Sequence, residues 1–561
     1  MTDRPSKGAY RMKILVIGAV AAGTSAAAKA RRNTEEAEIT IYERDNYISY
    51  SGCGMPYFLG GEVEKAEELI PRDPAFFREK YNVEIKTRHE VLLIDPAQKR
   101  LRVKDLATGE TFDDHYDKLI LATGARAVTP PIPGREKAHV FTLRNINDML
   151  RIETYLAERQ PKSAVIVGTG FIGLEMCESL TRLGIAVTLL EKLPQVTPGL
   201  DVDMAIHVEE HLKKSGITVK TNVSIAEITD ERVLLADGTA FPAELVLLST
   251  GIRPNGELAS YAGVALGASG AILVNERMET NLPDIYACGD CTEQFHVVTG
   301  KQVYRPLGST ANKTGRIAGD CATGGSLRYR GTLGTGIFRV LGLSVGQTGL
   351  SEREAREAGY DVVVSHNIKP DKPEYLGGEE MVIKSVADRA TGRILGVQIV
   401  GKAGVDKRID VFATAISFGA KAEDLFYLDL AYAPPFSTTK DPVMYTGMIL
   451  ENAIHGKRPL MTAQELLRRQ EAGEQVTVID TRIPAQFEKA HVDGANSIPH
   501  TEIREAAESL DKDDIIVTYC NKGTTGNAVQ NILINKGFRR VYNLSGGMKQ
   551  YTATRNSIKK T

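Results

Sequence analysis

The chain has 561 residues, 42% apolar and 25% charged, which is three or four domains at about 150 residues each and an ordinary globular composition. Disorder, collagen-like repeats and a single small module are excluded, and 69 Lys and Arg against 71 Asp and Glu leave no basic excess for nucleic acid. Six cysteines are too sparse for a disulfide-stapled secreted scaffold and read as reduced intracellular thiols, of which any that matters is catalytic. No apolar run approaches the roughly 18 residues of a membrane span, and the start MTDRPSKGAYR lacks a signal-peptide core. A soluble, cytoplasmic chain with no membrane partner is expected, its first eleven residues a frayed tail or tag remnant.

From residue 13 the pattern is strand, glycine turn, helix: KILVIG (13–18), an Ala-rich helix over 24–32, then the alternating strand EITIYE (38–43) closing on an acid. Gly18 and Gly23 bracket a dinucleotide-type turn whose middle glycine is replaced by Val20. Glu43 stands where a carboxylate takes hydrogen bonds from ribose hydroxyls. LILATG (119–124) and TNLPDIYACGD (280–290) suit the same ligand. The same grammar returns about 150 residues on, in SAVIVG (163–168), a helix over 173–183 and AVTLLE (186–191). Here the fingerprint Gly168-Thr-Gly170-Phe-Ile-Gly173 is complete. Glu191, 23 residues after Gly168, accepts from the 2′ and 3′ hydroxyls of NAD and repels the 2′-phosphate of NADP, so NADH is favoured; the adjacent Lys192 keeps NADPH as the lesser alternative.

Residues 331–447 mix strands and helices with loops such as 369–378, a different fold unit, and IHGKRPL (454–460) reads as a connector. QVTVID (475–480), DIIVTYC (514–520) and 540–544 then alternate with helical stretches, enough for a small α/β domain. Among the cysteines, Cys53 in Tyr50-Ser-Gly-Cys53-Gly-Met-Pro-Tyr57 is single, at a helix start whose dipole is expected to lower its pKa. Cys288 and Cys291 form a CxxC around the Gly-Asp of a nucleotide segment; without a second pair no metal site is expected. Cys177 and Cys321 have no evident partner. Cys520 heads the loop Cys520-Asn-Lys-Gly-Thr-Thr-Gly526, whose N–H groups can converge on a sulfur-bound anion.

Two nucleotide sites, the second inserted into the first, resemble the FAD- and NAD(P)-dependent pyridine nucleotide-disulfide reductases over residues 12–450. Val478-Ile-Asp480-Thr-Arg482, Phe487, the run Ala490-His491 to Pro499 and the Cys520 loop resemble a single-domain rhodanese. The resemblance implies an α/β fold with two Rossmann-like domains for FAD and NAD(P), an α+β dimerisation domain and a C-terminal α/β rhodanese domain. Its expected bounds are 12–150 and 279–330 for FAD, 151–278 for NAD, 331–455 for dimerisation, 456–464 for a linker and 465–561 for rhodanese. It further implies that Gly18, Gly23, Glu43, Arg44, Val91, Thr123, Gly124 and Asp290 hold FAD, and that Gly168, Gly170, Gly173, Glu191 and Gly251 hold the nicotinamide nucleotide.

The lone Cys53 resembles the single-cysteine branch: coenzyme A-disulfide reductases, NADH-dependent persulfide or polysulfide reductases, and NADH oxidases or peroxidases. Leu430-Ala-Tyr432-Ala-Pro-Pro-Phe-Ser-Thr-Thr-Lys440-Asp441 resembles the signature of the first two. That likeness implies a homodimer in which Tyr432 reaches the redox cysteine of the other subunit, Tyr375 is the second active-site tyrosine, and Ser25, Lys29, Arg32, Ser49 and Lys440 contact coenzyme A. Gly52 stands where many coenzyme A-disulfide reductases carry Asn, and Thr525 where the common rhodanese loop carries Arg, which argues against thiosulfate as donor. The expected enzyme passes electrons from NADH through FAD to a Cys53 adduct of coenzyme A disulfide, coenzyme A persulfide or polysulfide, with Cys520 relaying sulfane sulfur. The alternatives are an NADH oxidase cycling Cys53 through a sulfenic acid and a sulfur-carrier or sensor module.

Overall fold

The computed structural model describes residues 11–558; the polar segment read as a tail lies outside them except for Arg11. The backbone gathers into two compact units. One comprises residues up to 168, 175–187 and 225–332, the other 169–174, 188–224 and 333 onward.

The first unit is built on a parallel sheet in the order Ile285–Ala287, Lys118–Leu121, Lys13–Ile17, Glu38–Tyr42, Glu84–Lys86. Ile14, Leu15, Val16, Ile41, Leu119 and Ile120 are fully buried, as parallel strands covered on both faces require. Helix Ala21–Asn33 packs on helix Gly308–Ala322, where a Cβ on Gly315 or Gly319 would lie 2.3 Å from the Ala22 carbonyl oxygen or 2.1 Å from that of Ala26. Those two glycines, one helical turn apart, let the backbones approach. The unit also holds the antiparallel sheet His89–Asp95, Arg100–Asp105, Thr111–His115 and the parallel strands Ser163–Val167, Leu245–Leu248, Val140–Phe141.

In the second unit, Thr188 to Leu190 pair in parallel with Thr218–Lys220, followed in space by helix Val202–Lys214. A five-stranded antiparallel sheet runs Gly336–Val340, Leu343–Gly349, Ile394–Gly401, Glu380–Asp388, Val362–Pro370. Lys369 and Pro370, expected in a loop, end the last of these strands. A second, parallel sheet has the order Leu460–Met461, Arg540–Leu544, Ile515–Tyr519, Val476–Asp480, Asn496–Ser497. Its alternate residues feed two cores, Val478, Val517 and Leu544 on one face and Ile479, Ile516 and Val541 on the other. Helix Pro442–Ile454 and edge strand Leu460–Met461 narrow the expected connector to residues 455–459.

Candidate active site

The first fingerprint is dictated by backbone geometry. Gly18 has φ +104°, and a Cβ there would lie 2.3 Å from the Ala122 carbonyl oxygen; on Gly23 it would lie 1.8 Å from that of Gly18. Val20 stands at the helix N-cap, where a side chain is tolerated, so the missing middle glycine leaves the turn intact. Glu43 is buried and accepts from the N–H groups of Ala19 (2.8 Å) and Asp45 (2.9 Å), and burial pushes its carboxyl above the ordinary value. Thr123 donates to the Asn255 carbonyl (2.7 Å) while the Asn255 amide donates back to Thr123 (2.8 Å). Gly124, at φ +65°, faces open space on its Cβ side. Asp290, in the turn Gly289–Cys291, is ion-paired to Arg144 (2.8 Å), and the Tyr304 hydroxyl donates to its carbonyl (2.9 Å). Val91 is buried in strand His89–Asp95, and Arg44 is exposed beyond the second strand. A glycine-bounded helix start, a buried carboxylate at the end of the second strand and an open TG turn together fit a bound dinucleotide.

Cys53 sits in the turn Gly52–Gly54 and is the only exposed thiol of the six cysteines. The chain's own groups oppose the lowering expected from the helix dipole. Burial pushes the Cys53 thiol up, Glu175 and Asp290 push it further, and Arg144 opposes them. The helix that follows, Met55–Leu59, is one short turn and a half, with little dipole to offer. Glu175, which accepts from the Tyr57 hydroxyl (3.0 Å), arrives from a helix more than a hundred residues away. Four of the other thiols are disfavoured as thiolates by the same measure: burial pushes Cys177 up to about 12, and raises Cys288, Cys291 and Cys321. The Cys288/Cys291 pair lies inside the nucleotide cradle, with Cys291 Sγ 3.2 Å from the Cys288 carbonyl; among the described residues no group of three His, Cys, Asp or Glu side chains could hold a metal.

The second fingerprint repeats the first. Gly168 has φ +97°, with a Cβ 2.3 Å from the Ser249 carbonyl oxygen; Gly170 faces open space, and Gly173 is buried in helix Phe171–Arg182. Glu191 accepts from the Thr169 N–H (2.9 Å), the Thr169 hydroxyl (2.7 Å) and the Leu193 N–H (3.0 Å). Glu43 and Glu191 thus tie down the residue after the first glycine and the residue two beyond themselves, in both copies. The Gly251 carbonyl accepts from Val128 (2.9 Å), joining the second TG turn to the first.

The residues expected at coenzyme A have other partners. Lys29 is ion-paired to Asp320 (3.0 Å) and donates to Asn33, Ser25 donates to Asn312 (2.8 Å), and Arg32 lies over the Tyr81 ring. Ser49 holds φ +48° with its N–H on the Ala19 carbonyl. Tyr375 and Tyr432 are exposed, and Lys440 Nζ lies 6.0 Å from the Tyr445 ring.

Cys520 follows strand Ile515–Tyr519 and precedes helix Thr524–Asn535, whose cap Gly523 has φ +94°. Asp480, fully buried, accepts from Arg482 (2.6 Å) and the Tyr519 hydroxyl (2.6 Å), and Arg482 donates onward to Asn521 of the loop (3.2 Å). From below, Met548 N–H donates to the Cys520 carbonyl (2.8 Å), and a Cβ on Gly547 would lie 2.3 Å from that oxygen.

Family models match at residues 12–313 (pyridine nucleotide-disulphide oxidoreductase), 337–442 (dimerisation domain of the same family) and 462–554 (rhodanese-like domain). The chain belongs to the pyridine nucleotide-disulphide oxidoreductase family. Among similar proteins, the NAD(P)H sulfur oxidoreductase (CoA-dependent) of Pyrococcus furiosus is 37% identical over 446 residues, 79% of this chain and 99% of that one. A reduced CoADR-RHD from Bacillus anthracis superposes with a TM-score of 0.94 at 37% identity, covering 98% of this chain and 99% of that one. A NAD-dependent persulfide reductase from A. fulgidus superposes with a TM-score of 0.88 at 36% identity, covering 96% and 100%.

As a pyridine nucleotide-disulphide oxidoreductase, the protein is a flavin-dependent enzyme of the FAD and NAD(P)H type, fused to a rhodanese domain. Sequence reasoning missed Arg144, Glu175, Asn255 and Tyr304 around Cys53 and the cradle. Only Asn255 had a signal: STGIRPN repeats the ATGARA of the first turn, and Ile252–Pro254 pairs antiparallel with Ala125–Ala127.

Proposed function

We propose that this oxidoreductase uses NADH to reduce coenzyme A persulfide, coenzyme A disulfide or polysulfide, with Cys53 as the attacking thiol and Cys520 as a carrier of sulfane sulfur. The carrying observation is the singular exposure of Cys53 beside Asp290 and Arg144, against five buried thiols. Attack of the Cys53 thiolate on the inner sulfur of a coenzyme A persulfide expels hydrosulfide and leaves a mixed disulfide with coenzyme A; attack on coenzyme A disulfide expels the thiolate and leaves the same adduct. Bound FAD would supply the two electrons, drawn from NADH, that reopen it. Glu175 and Asp290 favour the protonated thiol, and Arg144, paired to Asp290, is the cation that counters them. Glu191, with its lone pairs at the fingerprint, supports NADH over NADPH. The similar proteins named for CoA-dependent sulfur reduction and for persulfide reduction support the same substrate class.

A homodimer is supported by the dimerisation-domain match and by Phe418, Tyr427 and Phe436, which stand 83%, 79% and 70% exposed on that segment and call for a cover. Among the described residues no helix is long and apolar enough to cross a membrane, and six free thiols support a reducing compartment such as the cytoplasm. Stopped-flow of Cys53→Ser tests the reading: NADH should still bleach the flavin while turnover of coenzyme A persulfide vanishes. Retained turnover overturns it, and oxygen consumption outpacing persulfide reduction in the unmutated enzyme would assign the chain to the oxidases instead.

A further inference from the structure

Cys520 has an electrostatic problem of its own. A thiolate that takes sulfur from an anion needs a cation nearby, and Thr525 occupies the place where an arginine would supply one. The loop's own lysine does not fill the gap, because Lys522 is ion-paired to Glu380, which also holds Lys549. Glu380, however, opens strand Glu380–Asp388 directly across from Pro370, the last residue of the neighbouring strand. Its grip on Lys522 and Lys549 therefore seats the Cys520 loop on the open end of this strand pair, where Lys369 is the next residue in.

Lys369 is half-buried, with its Nζ 3.9 Å from the centre of the Tyr445 ring; Lys440 approaches the same ring at 6.0 Å. Neither lysine has a carboxylate partner among the described residues. Burial and then the like charge of Lys522 push the Lys369 ammonium below its ordinary value, a thiolate at Cys520 pulls it up, and Lys440 pushes it down again. A cation that is partly desolvated, next to like charges and without a counter-ion is a standing cost to the fold that an incoming anion would offset. The aromatic face of Tyr445 keeps the ammonium in place in the meantime.

We propose that Lys369, seconded by Lys440, supplies from the antiparallel sheet the anion-binding charge that the Cys520 loop lacks, so that this site takes a small anionic sulfane-sulfur donor of the thiosulfate type. The proposal rests on the reading of Cys520 as a sulfur carrier and reverses the expectation drawn from Thr525 alone. In the transfer, the Cys520 thiolate attacks the outer sulfur of thiosulfate, the S–S bond breaks, and sulfite departs with the bonding pair, leaving Cys520 as a persulfide anion. One negative charge on cysteine and two on thiosulfate become one on the retained persulfide and two on the departing sulfite, so a fixed cation serves donor and leaving group alike.

The test uses the full-length holoenzyme and two probes of near-equal size, iodoacetate and iodoacetamide, with the modified cysteine located by peptide mass spectrometry. The ratio of their rates at Cys520 reads the local charge and cancels changes in thiolate population. For Lys369→Gln the iodoacetate preference should fall about tenfold, the effect of a unit charge roughly 10 Å away at an effective dielectric near about 20. The KM for thiosulfate in persulfide formation on Cys520 should rise with it. Lys369→Arg should keep both values, and adding Thr525→Arg to Lys369→Gln should restore them, which a misfolded variant would not allow. An unchanged ratio and an unchanged KM in Lys369→Gln overturn the assignment. A wild-type Cys520 that accepts sulfur from no donor at all overturns instead the carrier reading on which it rests.

Discussion

The Cys520 loop stands on a buried charge network, and Lys384→Met should expose how much of the second unit depends on it. Lys384 has 1% of its side chain exposed, and its Nζ lies 2.8 and 2.9 Å from the two oxygens of Asp203, 3.2 Å from Asp201 and 2.8 Å from Glu352. Asp203 also meets His366 Nε2 (2.9 Å), whose Nδ1 faces the Ser545 hydroxyl (3.0 Å), two residues before Gly547 beneath Cys520. Methionine fills the volume but removes the only lysine among three carboxylates, a break that costs about 3–5 kcal/mol. At about 2 °C per kcal/mol for a unit of this size, the calorimetric midpoint of that unit should drop by roughly 6–10 °C. The pH dependence identifies the cause. Burial alone would raise Asp203 and Glu352, but Lys384, joined by His366 at Asp203 and by Arg356 at Glu352, outweighs it and holds both carboxyls below their usual values. Such groups stabilise the fold above their unfolded values and lose that contribution as pH falls through the folded ones. Without Lys384 burial prevails, the carboxyls rise, and their contribution is instead lost as pH rises. The deficit of the variant should therefore be larger at pH about 8 than at about 5, and adding Asp203→Asn should recover part of it. A midpoint within about 2 °C of wild type at both values would refute the reasoning.

Three further outcomes follow from the geometry. Gly23→Ala places a Cβ 1.8 Å from a backbone oxygen that has nowhere to go, so the variant should purify without flavin absorbance; a fully yellow protein would show that the turn can open. Glu191→Ala removes the acceptor of Thr169 and Leu193, and the KM for NADH should rise roughly tenfold while that for NADPH changes much less; equal changes would show that Glu191 only braces the loop. Glu175→Gln removes a carboxylate that raises Cys53, so iodoacetamide should modify Cys53 several-fold faster at neutral pH, and an unchanged rate would mean burial alone sets the thiol.

What was legible in the sequence is what the backbone enforces locally. Gly18, Gly23 and Gly168 are demanded by contacts of 2.3 Å or less with carbonyl oxygens, and Glu43 and Glu191 by N–H groups a fixed number of residues away. The α/β architecture followed from the same local grammar and the rhodanese domain from the resemblance of the Cys520 motifs, and the family matches bear both out. Long-range electrostatics was not legible. The charges facing Cys53 were not legible because Glu175 and Asp290 come from segments far along the chain and the following helix is only five residues long. Nor was the ion-pair partner of Lys29 legible, because Asp320 lies almost three hundred residues later. Lys369 carried no motif at all; only the strand register next to Glu380, which pairs with Lys522, brings it to the side of the Cys520 loop.

The two chemically equipped thiols of this chain sit in opposite fields, and that contrast argues for a division of labour. Cys53 is exposed but faces Glu175 and Asp290, which disfavour an approaching anion as much as they disfavour its own thiolate. Cys520 is nearly buried, with Lys369 near its loop and Lys440 beside Lys369 both lacking a carboxylate partner among the described residues, while Lys522 of the loop is paired to Glu380. On the proposed assignment small anionic sulfur donors go to Cys520, and Cys53 takes a disulfide or protonated persulfide whose charges lie away from the reacting sulfur. The same pair of alkylating probes measures both: iodoacetamide should outpace iodoacetate at Cys53, and the order should invert at Cys520, each thiol serving as the control for the other in one protein. Identical orders at the two cysteines would mean that local charge does not sort their substrates, and the assignment of separate donors to the two sites would fall.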